Sequence, residues 1–169
     1  FNSYAQLDAM ITRLRKETYA MSWNLHTNCR NTKQIANANI LMTNIPNQGK
    51  PTVSGPQVKY DSYSGKEDEQ QKINAIVREI KDSGAIGSDF IILSRYTLSN
   101  PLNGLGLTGL DKGLGTLKTM GPIWKAKKND VRFSTISGFK GLESKIVIMI
   151  DVDHFSDEDT RLLNYVAAS

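Results

Sequence analysis

Short apolar runs that alternate with helical segments constrain the fold of this chain more than any other feature of its sequence. Phe90–Leu93 is wholly apolar, as expected for a strand that is buried on both faces of a parallel sheet. Val131–Thr135 and Ile146–Val152 are predicted as two further buried strands. Glu67–Asp82 carries apolar residues on one face at helical spacing, which predicts an amphipathic helix. Strands that alternate with helices predict an α/β fold, with a mostly parallel sheet and helices on both of its faces.

The rest of the chain contains weaker signals of secondary structure. Three further helices are predicted, over residues 4–17, 33–43 and 157–168. Asn31 or Thr32 is placed to cap the second of these helices. Two more strands are predicted, at Met21–Leu25 and Val58–Tyr63. Five glycines between Gly104 and Gly115 predict a glycine-rich, insertion-type loop over about residues 102–120.

The composition is typical of one globular domain. At 169 residues, with 39% hydrophobic and 22% charged residues, the chain fits a single α/β domain that spans residues 1–169. The sequence has neither an apolar run of membrane-spanning length nor a signal-peptide core, so a cytoplasmic protein is expected. The single cysteine, Cys29, excludes an internal disulfide and a thiolate zinc site. The net charge of +4 permits a polyanionic partner. Because Phe1 is not an initiator methionine and the last helix runs to Ser169, we expect a piece of a longer protein.

Polar residues that follow strand ends are the candidates for ligand binding, since open parallel sheets bind ligands beyond the carboxyl ends of their strands. Three segments combine such a place with unusual polar residues. They are Asn28–Thr32 before the second helix, Thr135–Glu143 between two predicted strands, and Arg161–Ser169 at the end of the chain.

These segments resemble motifs of the UvrD, Rep and PcrA type of superfamily-one DNA helicase. Thr135–Glu143 resembles motif V, because it follows a strand, contains Lys-Gly-Leu-Glu and precedes another strand. Motif IV is matched by Leu25, Asn28, Arg30 and Asn31, with Cys29 in its aromatic place. Arg161–Ser169 is similar to motif VI, and Ile91–Arg95 resembles the family's strand that ends in an arginine. The four segments occur in the family's order over residues 25–169.

The resemblance implies a RecA-like three-layer sandwich of the P-loop NTPase type. Motors of this family bind ATP between two similar domains, and the first domain supplies the phosphate-binding loop, its lysine and the Mg²⁺ ligands. In this chain Gly65-Lys66 is followed by Glu67, and Lys140 is followed by Gly141. Neither fits the Gly-x-x-x-x-Gly-Lys-Ser/Thr loop, known as Walker A. The resemblance therefore implies a second motor domain without its own Walker A, and ATP with Mg²⁺ held mainly by a first domain outside this chain.

The resemblance also implies roles for individual residues. Arg30 would be the catalytic residue, as an arginine finger that neutralises charge on the γ-phosphate. Arg30, Gly141 and Glu143 would bind ATP, and Glu143 would accept a hydrogen bond from the ribose hydroxyl. The second finger, from motif VI, would directly follow Ser169. Single-stranded or partly duplex DNA would be contacted by Arg95, Thr135 and Ser137. The other expected partner is the N-terminal motor domain of the same polypeptide.

Three places depart from the family's pattern. Ser137 stands where the family often has histidine, and Phe139 replaces a small residue. Leu102–Asp130 is too short for the large accessory domain, which leaves the direction of translocation open. These departures keep a second function open, that of a catalytically degenerate motor-like domain that docks nucleic acid or a partner. A third, an unrelated small α/β enzyme that is complete in itself and binds nucleotides or is phosphatase-like, has no support from paired carboxylates, a nucleophile elbow or a cysteine phosphate loop.

Each candidate residue also has a structural interpretation. Taken without the resemblance, Arg30 is a surface arginine that caps or pairs within a loop. Cys29 is interpreted as a packing residue. His26 and His154 stand far apart with no second ligand at metal-binding spacing, so no metal site is predicted.

Overall fold

In the part of the chain that the structure describes, four parallel strands form the main sheet. The computed structural model describes residues 4–18, 27–46, 49–105, 109–120, 127, 129–152 and 157–168. Within these residues the elements are, in chain order, α1 (Tyr4–Thr18), β1 (Thr27–Asn28), α2 (Lys33–Thr43), β2 (Lys50–Pro51), α3 (Lys66–Asp82), β3 (Phe90–Ser94), β4 (Thr116–Thr119), β5 (Asp130–Thr135), α4 (Ile136–Phe139), β6 (Ile146–Met149) and α5 (Glu158–Ala168). The strand order of the sheet is β4-β5-β3-β6, and every neighbouring pair is parallel. The predicted parallel sheet is therefore confirmed.

One face of the sheet packs against α3. Phe90 and Ile92 of β3 point to this face, together with Phe133 of the neighbouring strand β5. Ile73 and Val77 cover them from α3, at the helical spacing that the sequence shows. All five side chains are almost completely buried, and each such burial stabilises the fold by roughly 1.5–3 kcal/mol.

The opposite face of the sheet packs against α4 and α5. Side chains alternate along a strand, so Ile91 and Leu93 point away from the α3 face. They form a second core cluster with Ile136 and Phe139 of α4, and Leu163 of α5 packs against it. Helices therefore cover both faces of a parallel sheet, which confirms the predicted three-layer α/β class. The same packing explains the departure at Phe139, because its aromatic ring fills this second core.

A second layer of contacts joins α2 to α5. Beside α2, the short strands β1 and β2 pair in parallel. The side-chain Nδ2 of Asn39 in α2 donates a hydrogen bond to the backbone oxygen of Tyr165 in α5, at 3.3 Å. Thr32 Oγ1 accepts a hydrogen bond from the backbone nitrogen of Ile35, so Thr32 is the residue that caps α2. These contacts hold the segment before α2 near the end of α5.

The predicted long elements agree closely with the structure. The four predicted helices match α1, α2, α3 and α5 to within one residue at each end. β6 stops at Met149 rather than Val152, because Asp151 has a φ of 58°, a left-handed conformation that cannot continue a strand. The described part of Gly104–Gly115 contains neither helix nor strand, as predicted for a loop. None of the helices in the described ranges is long and apolar enough to cross a membrane.

The predicted strand at Val58–Tyr63 is wrong. This segment is irregular, and Tyr60 is 63% exposed, so the alternating pattern does not bury a face. Side-chain hydrogen bonds, not a strand ladder, attach the segment to α3. Lys59 Nζ donates to Glu79 Oε1, and Lys72 Nζ donates to the backbone oxygen of Ser62.

Short or polar elements were missed by the sequence patterns. β4 contains Leu117 as its only apolar residue and lies at the edge of the sheet, so it has no hydrophobic periodicity to detect. β1, β2 and α4 are at most four residues long, below the length at which periodicity can be recognised. The predicted strand at Met21–Leu25 lies outside the described residues.

The turn before β3 provides a test of the sheet's packing. A Cβ atom added to Gly87 would lie 1.5 Å from the backbone oxygen of Asp130, where no flexible side chain can move aside. We expect Gly87→Ala to lower the free energy of unfolding by about 3 kcal/mol, at the upper end of typical overpacking costs. Urea denaturation measures this change as a lower midpoint. The matched control is Ser88→Ala at the exposed neighbouring position, with an expected change within about 0.5 kcal/mol. Equal stability of Gly87→Ala and the wild type would contradict this packing.

Candidate functional site

A cleft of about 490 Å³ lies where the three segments singled out by the sequence meet. The segment before α2 contributes Cys29, Arg30 and Asn31 to its wall. The connection between α4 and β6 contributes Lys140–Lys145, and the last turn of α5 contributes Val166–Ala168. The first segment is more than 100 positions from the other two along the chain, so its convergence with them is a property of the fold and not of local sequence.

Arg30 and Glu143 form an ion pair within this cleft. Arg30 Nε lies 3.9 Å from Glu143 Oε1, and their side chains are 55% and 81% exposed. An exposed ion pair at this separation typically contributes between zero and about 1 kcal/mol, because water screens it. Both groups therefore remain available to a ligand, with a cation that can meet an anion and a carboxylate that can accept hydrogen bonds.

The floor of the cleft is apolar, whereas its rim is charged. The apolar lining includes Ile35 and Met42 of α2 and Val147 and Met149 of β6. The rim carries four charged side chains, which are Arg30, Lys140, Glu143 and Lys145. A concave apolar surface with a few convergent charged groups is the usual form of a small-molecule site. Glu143 lies beside Arg30 and Asp89 pairs with Lys145, so these described groups retain an excess of one cation, which favours a ligand with an apolar body and an anionic part.

Gly141 shapes the chain between Lys140 and Glu143. Its φ is 82°, in the left-handed region, and a Cβ atom there would meet nothing within 4 Å. The conformation of the backbone, rather than a lack of space, therefore requires glycine at this position. The predicted nucleotide-binding position is thus a turn residue that lines the cleft and directs its neighbours.

A buried arginine attaches the Glu143 segment to the sheet. Arg132 of β5 is 9% exposed, and its Nε donates a hydrogen bond to the backbone oxygen of Phe90 at 3.1 Å. Its Nη2 donates to Ser144 Oγ at 2.6 Å, directly after Glu143 in sequence. The sequence pattern gave no indication of this link. Arg132 stands between Val131 and Phe133 in a strand that was predicted from its apolar residues, and nothing in that pattern identifies a partner for the arginine.

The start of β6 is held by a second charged contact. Lys145 Nζ donates to Asp89 Oδ1 at 2.7 Å. This hydrogen bond is the largest cause that keeps the pKa of Asp89 below its ordinary value near 3.8, and a hydrogen bond from the backbone nitrogen of Ile86 is the second. Lys145 is thus anchored at the rim of the cleft by its carboxylate partner.

The three residues predicted to contact nucleic acid are not among those that line the cleft. Thr135 Oγ1 accepts a hydrogen bond from the backbone nitrogen of Gly138 at 3.1 Å, so Thr135 caps α4. Ser137 is exposed on α4. Arg95 Nη2 donates to Thr160 Oγ1 of α5 at 3.1 Å, and its guanidinium lies over the Tyr96 ring. Of the three, only Ser137 is exposed, whereas Thr135 and Arg95 are half-buried.

Cys29 does not pack into the core. It is exposed and lines the cleft next to Arg30, so its interpretation as a packing residue is wrong. The reason is a turn formed by Asn28, whose side-chain Oδ1 accepts hydrogen bonds from the backbone nitrogens of Arg30 and Asn31. This turn directs the intervening residues to the surface.

A buried acidic network at the carboxyl ends of the strands was also missed. Asp151 accepts hydrogen bonds from the Ser94 hydroxyl and, at 2.7 Å, from the backbone nitrogen of Gly104. Its own backbone nitrogen donates to Glu69 Oε1 at 3.1 Å. The network joins α3, β3 and the loop after β3, and we interpret it as structural. Its members come from four distant segments, so sequence spacing could not reveal it.

Comparisons with protein-family models, with curated proteins and with solved structures found no match for this chain. Among the described residues, no three histidine, cysteine, aspartate or glutamate side chains are grouped so as to hold a metal ion.

The Asp89–Lys145 contact predicts a specific titration. Lys145→Ala should raise the pKa of Asp89 towards its ordinary value, because the largest cause of the lowering is removed. NMR titration of the Asp89 carboxyl measures this change, and Lys140→Ala, at an exposed position of the same rim, should leave it unaltered. Because the folded pKa is lowered, the contact stabilises the fold above about pH 3.8 and is lost as the pH falls through the folded pKa. An unchanged Asp89 titration in Lys145→Ala would contradict the contact.

Proposed function

We propose that this chain is the second motor domain of an ATP-dependent DNA helicase or translocase of the UvrD type. The observation that carries the proposal is the shared cleft, in which Arg30 and Glu143 face each other beside the last turn of α5. The family resemblance requires these three parts to lie together, and the fold brings Arg30 to the other two parts from more than 100 positions away in the chain. We further propose that the motor acts in the cytoplasm.

Arg30 would act on the phosphates of ATP. Its side chain is half-exposed and has only a weak ion pair to give up before it turns towards a ligand. Guanidinium groups match phosphate oxygens in geometry and charge, and their hydrogen bonds to phosphate are stronger than those between neutral groups. During phosphoryl transfer Arg30 would neutralise charge that develops on the γ-phosphate, an effect worth roughly three to five powers of ten in rate.

Glu143 and Gly141 would hold the nucleoside. An ionised glutamate only accepts hydrogen bonds, and a ribose hydroxyl is a suitable donor. Gly141 supports this contact by turning the backbone so that Glu143 lies at the rim. The apolar floor formed by α2 and β6 provides a surface for the less polar part of the nucleotide.

The phosphate cradle and the Mg²⁺ ligands would come from the first motor domain. The cleft supplies cations and one carboxylate, but the sequence contains no phosphate-binding loop. Mg²⁺ held by that domain would supply positive charge against the phosphates during transfer. The residues described here therefore fit one half of a split site, in which they orient ATP and add positive charge.

Nucleic acid would bind near α4. Ser137 is exposed there, and Thr135 fixes the start of the helix. Arg95 would contribute at the carboxyl end of β3, although its hydrogen bond to Thr160 competes with that role. Because the hydrogen bond to Thr160 makes Arg95 less available to a phosphate, we expect this chain alone to bind nucleic acid weakly.

A second candidate function is a motor-like domain that has lost catalysis and docks nucleic acid or a protein partner. The engagement of Arg95 by Thr160 favours it, since one of the expected DNA contacts is already used within the fold. In that case the full-length protein would bind single strands without turning over ATP.

The role of Arg30 is tested in the protein that contains both motor domains. Arg30→Ala should reduce the kcat of nucleic-acid-stimulated ATP hydrolysis at least a hundredfold, which corresponds to about 2.7 kcal/mol of lost transition-state stabilisation. The matched control is Arg78→Ala, because Arg78 is also half-exposed and ion-paired, 3.6 Å from Asp111, but does not line the cleft. It should leave kcat unchanged.

Two results would contradict the split site. Normal turnover by Arg30→Ala would remove Arg30 from the chemistry, and ATP hydrolysis by the isolated chain would show that no second half is needed. ATP-independent binding of single strands, with no turnover in the wild type, would instead support the docking function.

Binding of single-stranded DNA by this chain should be weak and sensitive to salt. In a plot of the logarithm of the binding constant against the logarithm of salt concentration, each phosphate contact makes the slope more negative by roughly 0.7. Ser137→Glu would place a negative charge at the exposed position on α4 and should weaken binding about tenfold at low salt, by repulsion between like charges. Ser88→Glu, at the opposite end of the sheet, is the control and should have no effect. Fluorescence anisotropy over a salt series measures both, and salt-independent binding would exclude phosphate contacts.

A further inference from the structure

The turn that carries Arg30 is built around the side chain of Asn28. Asn28 Oδ1 accepts one hydrogen bond from the backbone nitrogen of Arg30 at 3.0 Å and another from that of Asn31 at 3.1 Å. We infer that Asn28 is a positioning residue for Arg30, which it holds at the edge of the cleft through the backbone. This inference rests on the proposed function, since it assumes that Arg30 acts on ATP.

The side chain of Arg30 cannot hold its own position. Its ion pair with Glu143 is 3.9 Å long and exposed, and such a contact does not fix one conformation of a long side chain. The place from which the guanidinium reaches into the cleft is therefore set by the backbone at Arg30. Asn28 is the residue whose side chain fixes that backbone.

Asn28 is itself attached to regular structure. It belongs to β1, where it lies opposite Pro51 of β2 in the parallel ladder. Its backbone is thus held by the strand, while its half-buried side chain is free to close the turn. The two amide groups that it accepts from would otherwise depend on water for a partner. The paired strands β1 and β2 therefore fix the position of the Arg30 backbone through Asn28, which is two residues before it.

The far side of the turn is fastened independently. The backbone nitrogen of Lys33 donates to the backbone oxygen of Val53 at 2.8 Å, and that of Gly55 donates to Gln34 Oε1 at 2.7 Å. Gly55 approaches so closely that an added Cβ atom would lie 2.6 Å from Thr32 Cγ2. The segment after Arg30 therefore stays in place when Asn28 is changed, so a substitution of Asn28 should loosen the turn without unfolding α2.

Preorganisation is the physical reason why this turn should matter for rate. A reacting group that is already in position does not lose conformational freedom during the reaction, so misplacement lowers kcat more than ligand affinity. Two hydrogen bonds of ordinary strength hold the turn. The loss of their positioning effect should therefore change kcat by about tenfold.

The kinetic experiment uses the protein that contains both motor domains. Asn28→Ala should lower kcat about tenfold with little change in KM for ATP, and Asn28→Asp, which keeps an acceptor oxygen, should restore most of it. The matched control is Asn100→Ala, because Asn100 Oδ1 closes a similar turn by accepting from the backbone nitrogen of Leu102 at 2.9 Å, away from the cleft. It should leave kcat unchanged.

A double substitution distinguishes an effect of Asn28 on the position of Arg30 from an effect on the protein that is independent of Arg30. If Asn28 acts only through Arg30, then Asn28→Ala should cost nothing further in a protein that already carries Arg30→Ala. A further tenfold loss in the double variant would overturn the inference, because it would show an effect independent of Arg30. Loss of kcat in Arg30→Ala but not in Asn28→Ala would overturn it as well, and would leave the proposed function intact.

Amide hydrogen exchange tests the turn without reference to ATP. In the 169-residue chain, Asn28→Ala should speed exchange of the Arg30 and Asn31 amides about tenfold, and Asn28→Asp should not. Unchanged exchange in Asn28→Ala would overturn the inference directly. If exchange responds as expected but Arg30→Ala turns over ATP normally, the proposed function fails, and with it the positioning role, although the turn itself is confirmed.

Discussion

The central strand β3 is the element on which the rest of this structure depends. It pairs with β5 on one side and β6 on the other, with Ile91 opposite both Arg132 and Val147. Its side chains alternate between two cores, so that Phe90 and Ile92 attach α3 while Ile91 and Leu93 attach α4 and α5. Neither layer of helices would have a surface to pack on without this strand, and the three elements that form the cleft would lose their common support.

The sheet reaches the candidate site through polar side chains as well as through packing. Arg132 extends from β5 past the backbone oxygen of Phe90 to Ser144, and Lys145 pairs with Asp89. Both contacts fix the segment that presents Glu143. On the other wall, Asn28 connects β1 to the turn at Arg30. The side chains of Arg30 and Glu143 are thus exposed, but the segments that carry them are held in place by buried or half-buried groups.

The parts of this structure that could be predicted are those with a repeated physical signal. Phe90–Leu93 is apolar at every position, and α3 repeats its apolar residues at helical spacing, so both elements and their layer arrangement followed from the sequence. β4 gave no signal because Leu117 is its only apolar residue, and Val58–Tyr63 gave a false one because alternation without a partner strand buries nothing. The meeting of Arg30 with Glu143 was expected from the family resemblance alone. Arg132 and Asp151 join distant segments through a few hydrogen bonds, and Asn28 closes a local turn with its side chain. Neither kind of contact leaves a periodic trace in a sequence.

If the cleft is half of a split ATP site, as proposed, the exposure of Arg30 explains why the site would need a second surface. Two unit charges 4 Å apart interact by about 1 kcal/mol in bulk water, but by about 4 kcal/mol at the lower effective dielectric found near protein surfaces. In the open cleft, water weakens any contact that Arg30 makes, including the one with Glu143. A domain that closed over the rim would exclude this water and strengthen the interaction between the guanidinium and a phosphate severalfold. The same closure would bring the phosphate to Arg30 only when both halves are in contact, so hydrolysis would depend on the relative position of the two domains. That dependence is what a motor requires in order to convert ATP turnover into movement along a strand.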